Sequence, residues 1–372
     1  MTLAGPLRCV ELFAGIGGFR IASDSLGLDT VFANDWDPYA SRTYRSAHGT
    51  RNFHEGDIHS LIDQVPEHDL LTGGFPCQPF SYAGHKRGVD DARADTMSAI
   101  CQVLSSRRPR AFALENVRSL LTLKHGAHFK ILLSRLAATG YSLEWRVLNA
   151  MDAGLPQNRS RILFIGAPSD AFPPYTLLGD ELEWRRHRHE ISECRDGDLD
   201  TWKGSFSAWG RLHQGHIQSS THKRILTAPA KLRDWLDDID DPRYDFTVNT
   251  LHRIKESTPI HQVIDHVEVL YNQEGGRRMG YTVFGINGVA PTLTCTTSRH
   301  YERFRFGDRY RRLTPMEYER LQGFPSDISA CIPHARRYIA LGNAIPPGLA
   351  RIGLESALRV MDAKCHPSPK AA

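Results

Sequence analysis

Arg8-Cys9-Val10-Glu11-Leu12-Phe13-Ala14-Gly15-Ile16-Gly17-Gly18-Phe19 is a short apolar run that ends in a glycine turn. A helix is expected to follow over about residues 18–27. Glycines at a strand-to-helix turn let the backbone approach a ligand closely. A dinucleotide fingerprint would place a third glycine at position 20, where Arg20 stands, so a nicotinamide or flavin reading is weakened. A second strand, Thr30-Val31-Phe32-Ala33-Asn34, runs into Asp35-Trp36-Asp37. An acid at that tip suits the two hydroxyls of a ribose, and a neighbouring tryptophan can lie on an adenine. The pair points to an adenosine-bearing cofactor.

Working outward, strands are expected at Leu70-Leu71-Thr72, Ala111-Phe112-Ala113-Leu114 and Arg161-Ile162-Leu163-Phe164-Ile165, with an amphipathic helix over about 128–139. Alternating strands and helices predict an α/β fold, a largely parallel sheet covered on both faces, with ligands at the carboxyl ends of the strands. Three of those ends carry chemistry. Gly73-Gly74-Phe75-Pro76-Cys77-Gln78-Pro79-Phe80-Ser81 places a cysteine between two prolines, on stiff backbone. A thiol reacts as thiolate, with a free pKa near about 8.5, so Cys77 needs activation by its surroundings. Cys9 and Cys101, within apolar runs, are assigned to packing. Glu115-Asn116-Val117 brings a carboxyl to the same sheet edge as Cys77. In Gln157-Asn158-Arg159-Ser160-Arg161 the alternate residues 157, 159 and 161 are expected to project to one side and to suit a phosphate or a base carbonyl.

The 372 residues are 41% hydrophobic and 24% charged, a globular composition that excludes wholesale disorder. No apolar window approaches a membrane span, and the start lacks an export pattern. The seven cysteines are scattered, with no CxxC pair, so neither a disulfide framework nor a metal site is suggested. A cytoplasmic, reduced protein is expected. Net charge is only +4, but its distribution is uneven. Residues 181–276 carry 13 basic and 17 acidic side chains, and residues 277–312 carry 8 basic and 2 acidic ones. The second stretch interleaves Arg299, Arg303, Arg305, Arg309, Arg311 and Arg312 with Tyr301, Phe304, Phe306 and Tyr310, a strip that would attract a polyanion. After Ala167 prolines break the strand–helix pattern, and helical signals return at Thr314-Pro315-Met316-Glu317 and over about 346–361.

The ordered set FAGIGG, PCQPFS, ENV, QNRSR, RRLTPMEYERLQGFP and LGNAIPP, spread over residues 8–347, resembles the bacterial DNA (cytosine-5)-methyltransferases. The resemblance implies a Rossmann-like S-adenosylmethionine-dependent methyltransferase sheet with helices on both faces, plus a smaller irregular target-recognition domain. On that reading residues 1–175 hold catalysis and cofactor, 176–325 recognise the target, and 326–372 return to the catalytic domain. It implies that Phe13, Gly15 and Gly17 hold S-adenosylmethionine, with Asp35 on the ribose, Trp36 on the adenine, and Asp57, Ile58 and Asn343 completing the site. It makes Cys77 the nucleophile, Glu115 the acid that binds the base, and Arg159 and Arg161 active-site arginines. Asp35 stands where relatives usually carry glutamate, and Ala344 where they often carry serine. Arg93-Ala94-Asp95-Thr96-Met97 lacks the Leu-Phe that relatives show after the matching arginine.

The chemistry behind this reading is addition of a thiolate to cytosine C6, which makes C5 nucleophilic. The target base must leave the duplex to be reached. The loop after Cys77, with Gln78, Ser81, Lys86 and Arg87, is expected to close over it. Arg277, Arg278 and Arg299 are the candidates for reading the sequence. Double-stranded DNA is the expected partner of a monomer, with a cognate restriction endonuclease as a genetic partner and no membrane. A tRNA cytosine-5 methyltransferase, a silent DNA-binding regulator and a dehydrogenase are the rival readings. The variable lobe disfavours the first, Cys77 with Glu115 the second, and Arg20 the third.

Overall fold

The structure, a computed structural model, describes residues 5–76, 96–173, 177–178, 195–220, 227–272, 281–295 and 301–363. β1 (Arg8–Leu12) lies between β2 (Asp29–Asp35) and β4 (Leu70–Gly74), with β3 (Phe53–Glu55) beyond β2 and β5 (Ala111–Val117) beyond β4. These five strands are parallel. β7 (Ser160–Pro168) then pairs antiparallel with β5, and β6 (Tyr141–Asn149) antiparallel with β7. The sheet is therefore less parallel than the sequence pattern predicts. Only residues 150–159 join β6 to β7, too few for the crossover helix that a parallel pair requires.

Alternation along the strands builds a core on each face. Phe112 and Leu114 point into one, with Val10, Leu12 and Leu71. There they meet Met97, Ile100, Val103 and Leu104 of α4 (Thr96–Arg107) and Phe129, Leu132, Leu133 and Leu136 of α5 (Ala127–Ala138). Ala111 and Ala113 point to the opposite face, where small side chains admit α9 (Pro347–Ala363) through Leu349, Ala350, Leu354 and Ala357. α1 (Gly18–Ser25) packs beside it through Phe19 and Ala22. Among the described residues, the remaining α-helices are α2 (Pro38–His48), α3 (Ile58–Leu61), α6 (Val248–Lys255), α7 (Pro315–Leu321) and α8 (His334–Asn343). Thr314 caps α7 in a capping box with Glu317, and Pro315 occupies its first turn. Among the described residues, no helix is long and apolar enough to cross a membrane.

The change of texture near residue 175 does not separate the two sheets. β9 (Trp209–His213), β10 (His216–Ser220) and β8 (Arg195–Asp198) extend the first sheet beyond β6, giving ten strands. Buried Trp145 explains the attachment: it lies opposite Gly210 across β6 and β9, donates from Nε1 to the Ser207 carbonyl at 3.0 Å, and packs against Phe129 and Phe206. A second, five-stranded sheet comprises β11 (Thr258–Ile264), β12 (Val267–Asn272), β13 (Thr282–Phe284), β14 (Arg303–Phe306) and β15 (Arg309–Arg311). Its Phe284 and Phe304 face α7 and α8 through Leu321, Tyr338 and Leu341.

Among the described residues, the basic aromatic strip contributes β14 and β15, where several of its arginines take partners. Arg311 is buried against Glu317 at 2.8 Å, and Arg309 meets Asp245 at 2.7 Å. Arg312 lies 3.5 Å from the ring centroid of Tyr338. Arg309, Arg311 and Arg312 are thus held within the fold by ion pairs and ring contacts.

One buried acid gives a stability prediction. Glu11 on β1 accepts from the Tyr44 hydroxyl at 3.0 Å, and burial pushes its carboxyl up to about 8. Its folded pKa exceeds the unfolded one, so the native state favours the neutral form. That advantage is complete below the unfolded value and is lost as pH rises towards 8. Glu11→Gln, which keeps an acceptor for Tyr44 without an ionisation, is expected to gain on the wild type by a few degrees of melting temperature between pH 5.5 and 8.5. A difference independent of pH, in paired melting curves, would refute this.

Candidate active site

The first turn is built by backbone constraint. Phe13, at φ 55, and Gly15, at φ 57, lead into Gly17, which caps α1 in the left-handed region at φ 88. A side chain on Gly17 would overlap His48 Nε2, and one on Gly18 would overlap the Ile345 carbonyl. Asp35, at the tip of β2, accepts from the Gly15 amide at 2.7 Å and the Asp37 amide at 2.9 Å. Burial raises its pKa, while the Asp37 and Gly15 amides work in the opposite sense. Next to it, Trp36 is 72% exposed. Asn34 donates to the His54 and Gly56 carbonyls, which brings the end of β3 alongside. Asp57 caps α3 there by accepting from the His59 amide, and Ile58 is buried behind it. Asn343, exposed at the end of α8, arrives from the far end of the chain. An acid held by backbone amides, an exposed indole and open space beside Gly15 fit an adenosine group.

The second cluster lies at the tips of β4, β5 and β7. Glu115 is almost wholly buried, and Arg161 Nε sits 3.0 Å from its Oε1. The pairing register explains the meeting, since Glu115 faces Leu163 and Val117 faces Arg161, so all four share one sheet face. Burial raises the Glu115 pKa, and the charges of Arg161 and Arg159 lower it. Gly74 lies opposite Glu115 across β4, where a Cβ would stand 3.1 Å from Oε2. Asn116 Nδ2 donates to the Phe75 carbonyl at 2.9 Å, tying β5 to the chain two residues before Cys77. Sequence reasoning missed both contacts, because neither Gly74 nor Asn116 shows its cross-strand neighbour in a local pattern.

The QNRSR segment divides in a way the alternation does not predict. Arg161 reaches Glu115, but Gln157 and Arg159 are fully buried and hold backbone. Gln157 donates to the Leu321 carbonyl and accepts from the Leu293 amide. Arg159 donates to the carbonyls of Leu293 at 2.8 Å, Gly342 at 2.6 Å and Ala344 at 2.8 Å. Among the described residues, neither is placed to meet a phosphate. Cys9 is a packed thiol whose pKa burial pushes up to about 12, and Cys101 packs half-buried against the same sheet. Cys77, Gln78, Ser81, Lys86 and Arg87 lie outside the described residues, as do Arg277, Arg278 and Arg299, so the loop expected to close and the candidate readers have no geometry here.

The strand order β3-β2-β1-β4-β5-β7-β6, with β7 reversed and both clusters at the carboxyl edge, defines a Rossmann-like methyltransferase. The chain belongs to the C-5 cytosine-specific DNA methylases, whose family model matches residues 7–358. It is a DNA cytosine-5 methyltransferase, of a family that uses S-adenosylmethionine. The Type II methyltransferase M.NgoBI of Neisseria gonorrhoeae is 31% identical over 339 residues, covering 91% of this chain and 89% of its own. The Type II methyltransferase M.HhaI of Haemophilus parahaemolyticus is 27% identical, covering 91% and 90%. In fold the chain resembles S. pombe Dnmt2 methyltransferase, with a TM-score of 0.64 at 18% identity over 96% of this chain and 99% of that one.

Proposed function

We propose that this protein is the modification enzyme of a Type II restriction–modification system, working as a monomer on one duplex sequence, with Cys77 as its nucleophile. The observation that carries the catalytic reading is the buried Glu115–Arg161 pair at the sheet edge to which Phe75, two residues before Cys77, is tied. Cys77 Sγ adds to C6 of an extruded cytosine, and Glu115, whose pKa burial raises, delivers a proton to N3 as charge develops there. Arg161 steadies the carboxyl from one side and offers its remaining donors to the O2 carbonyl. C5, now enamine-like, takes the methyl; loss of its proton to water or hydroxide expels Cys77 as the thiolate, and N3 returns its proton to Glu115. S-Adenosylmethionine supplies an electrophilic methyl on a sulfonium. Phe13, Gly15, Gly17, Asp35, Trp36, Asp57, Ile58 and Asn343 are the residues that would hold it, Asp35 on the ribose and Trp36 on the adenine. The 176–325 stretch supplies target recognition on this reading, through Arg277, Arg278 and Arg299.

The test is bisulfite sequencing of DNA from cells expressing the protein, with transfer to purified tRNA assayed in parallel. Methylation at one recurrent DNA sequence supports the reading. Transfer confined to tRNA would overturn it. The cofactor assignment is checked separately through Trp36, since stacking of a base on an aromatic ring contributes about 1–3 kcal/mol. Trp36→Ala is therefore expected to raise the KM for S-adenosylmethionine roughly 5- to 150-fold with little change in kcat. An unchanged KM would remove Trp36 from the site.

A further inference from the structure

Arg159 occupies a position that neither cluster explains. It lies on the short connection between β6 and β7, two residues from Arg161, and its side chain is fully buried. One guanidinium nitrogen holds the Leu293 carbonyl, in the segment between β13 and β14. The other holds the carbonyls of Gly342 and Ala344, which flank Asn343 at the end of α8.

Both segments lead further. The Leu293 segment is zipped to the QNRSR connection, with Ala290 bridging the residues on either side of Gln157: Asn158 N–H donates to the Ala290 carbonyl and Ala290 N–H to the Pro156 carbonyl, each at 2.8 Å. Asn158 Nδ2 also donates to the Asp265 carbonyl, at the turn between β11 and β12. On the other side, the Ile345 carbonyl is packed against Gly18 so closely that no side chain fits. That contact reaches the glycine turn assigned to the cofactor. Gly342 is pressed directly on the backbone of Thr294 and Cys295, so the two segments are in backbone contact. A planar fork with several donors in fixed directions suits such a junction, whereas an ammonium cannot reach three carbonyls in the same geometry.

We infer that Arg159 is a positioning residue that couples the cofactor turn to the second sheet, so that occupancy of one stiffens the other. The inference rests on the cofactor site assigned above. Coupling between sites is reciprocal, and typical values span about 5- to 150-fold in affinity.

The probe is S-adenosylhomocysteine, the demethylated product, which binds without reacting. Hydrogen exchange of the full-length protein at saturating probe is expected to slow at residues 15–18 and, by about tenfold, at residues 289–295. In Arg159→Lys the slowing at 15–18 should persist while that at 289–295 disappears. Slowing confined to the turn in the wild type overturns the coupling and leaves the cofactor assignment standing. Equal slowing at 289–295 in wild type and Arg159→Lys also overturns it. No slowing anywhere would sink the cofactor assignment and the coupling together. The wild-type measurement needs no variant, so it decides even where Arg159→Lys does not fold. A second readout uses the duplex that bisulfite sequencing identifies: the ratio of S-adenosylhomocysteine affinities with and without it should fall towards one in Arg159→Lys. A ratio equal to that of the wild type counts against the inference.

Discussion

Cys77→Ala is expected to lower methyl transfer by on the order of 10⁴-fold or more, because the proposed covalent route through C6 needs its thiolate. Cytosine C5 carries little electron density available for attack while the ring stays conjugated, and only addition at C6 releases it. The thiols whose burial the structure shows cannot stand in. Cys9 is packed inside the sheet with its pKa pushed up to about 12, which keeps it protonated and remote from solvent. A duplex carrying 5-fluorocytosine at the target position should form an adduct with the wild type that survives denaturing electrophoresis, since fluorine cannot leave as the C5 proton does. The Cys77→Ala protein should give none. An adduct in that variant, or its absence in the wild type with donor and cognate duplex at saturation, would falsify the assignment of the nucleophile.

Glu115→Gln is expected to lower kcat by about 10²- to 10⁴-fold, the range of a lost general acid. Gln keeps the size of the side chain and an acceptor for Arg161 Nε, which now lies 3.0 Å from Oε1, but it cannot deliver a proton to N3. Burial raises the Glu115 pKa, and the protonated form is the donor, so activity should fall as pH rises through that pKa. Formation of the Cys77 thiolate acts in the opposite direction and raises activity with pH. The wild-type profile is therefore expected to be bell-shaped, and in Glu115→Gln the descending limb should vanish. Steady-state kinetics across the pH range, with melting curves to separate chemistry from folding, check this. A variant with wild-type kcat, or with the descending limb intact, would remove Glu115 from proton transfer.

Much of the catalytic half was legible in short segments. Arg8 to Phe19 reads as strand, turn and helix, because hydrophobic run, glycine positions and helix onset are all local. The capped start at Thr314-Pro315 was legible for the same reason. β6 was not. Its nine residues are nearly all buried on both faces, so they show no alternation, and they include Glu144 and Arg146. Those charges fit the interior only through partners far along the chain. Glu144 accepts from the Leu177 and Leu178 amides, and Arg146 donates to the Leu178 carbonyl. β9 and β10 were missed likewise, being five residues each and joined by a tight turn at Gln214 and Gly215, both at positive φ.

From its order of residues alone this chain determined a glycine turn after a first strand, an acid and an indole after a second, and the motif residues Glu115 and Arg161 at later strand ends. Backbone preference and hydrophobic periodicity act over a few residues, so such features survive without the fold. Tertiary structure decided which members of each motif face the chemistry. Gln157, Arg159 and Arg161 look equivalent along an extended segment, yet only Arg161 meets a carboxylate, while the other two satisfy carbonyls or amides of residues more than a hundred positions away. A buried donor takes whichever acceptor the packing brings to it, and that acceptor is set by the meeting of distant segments.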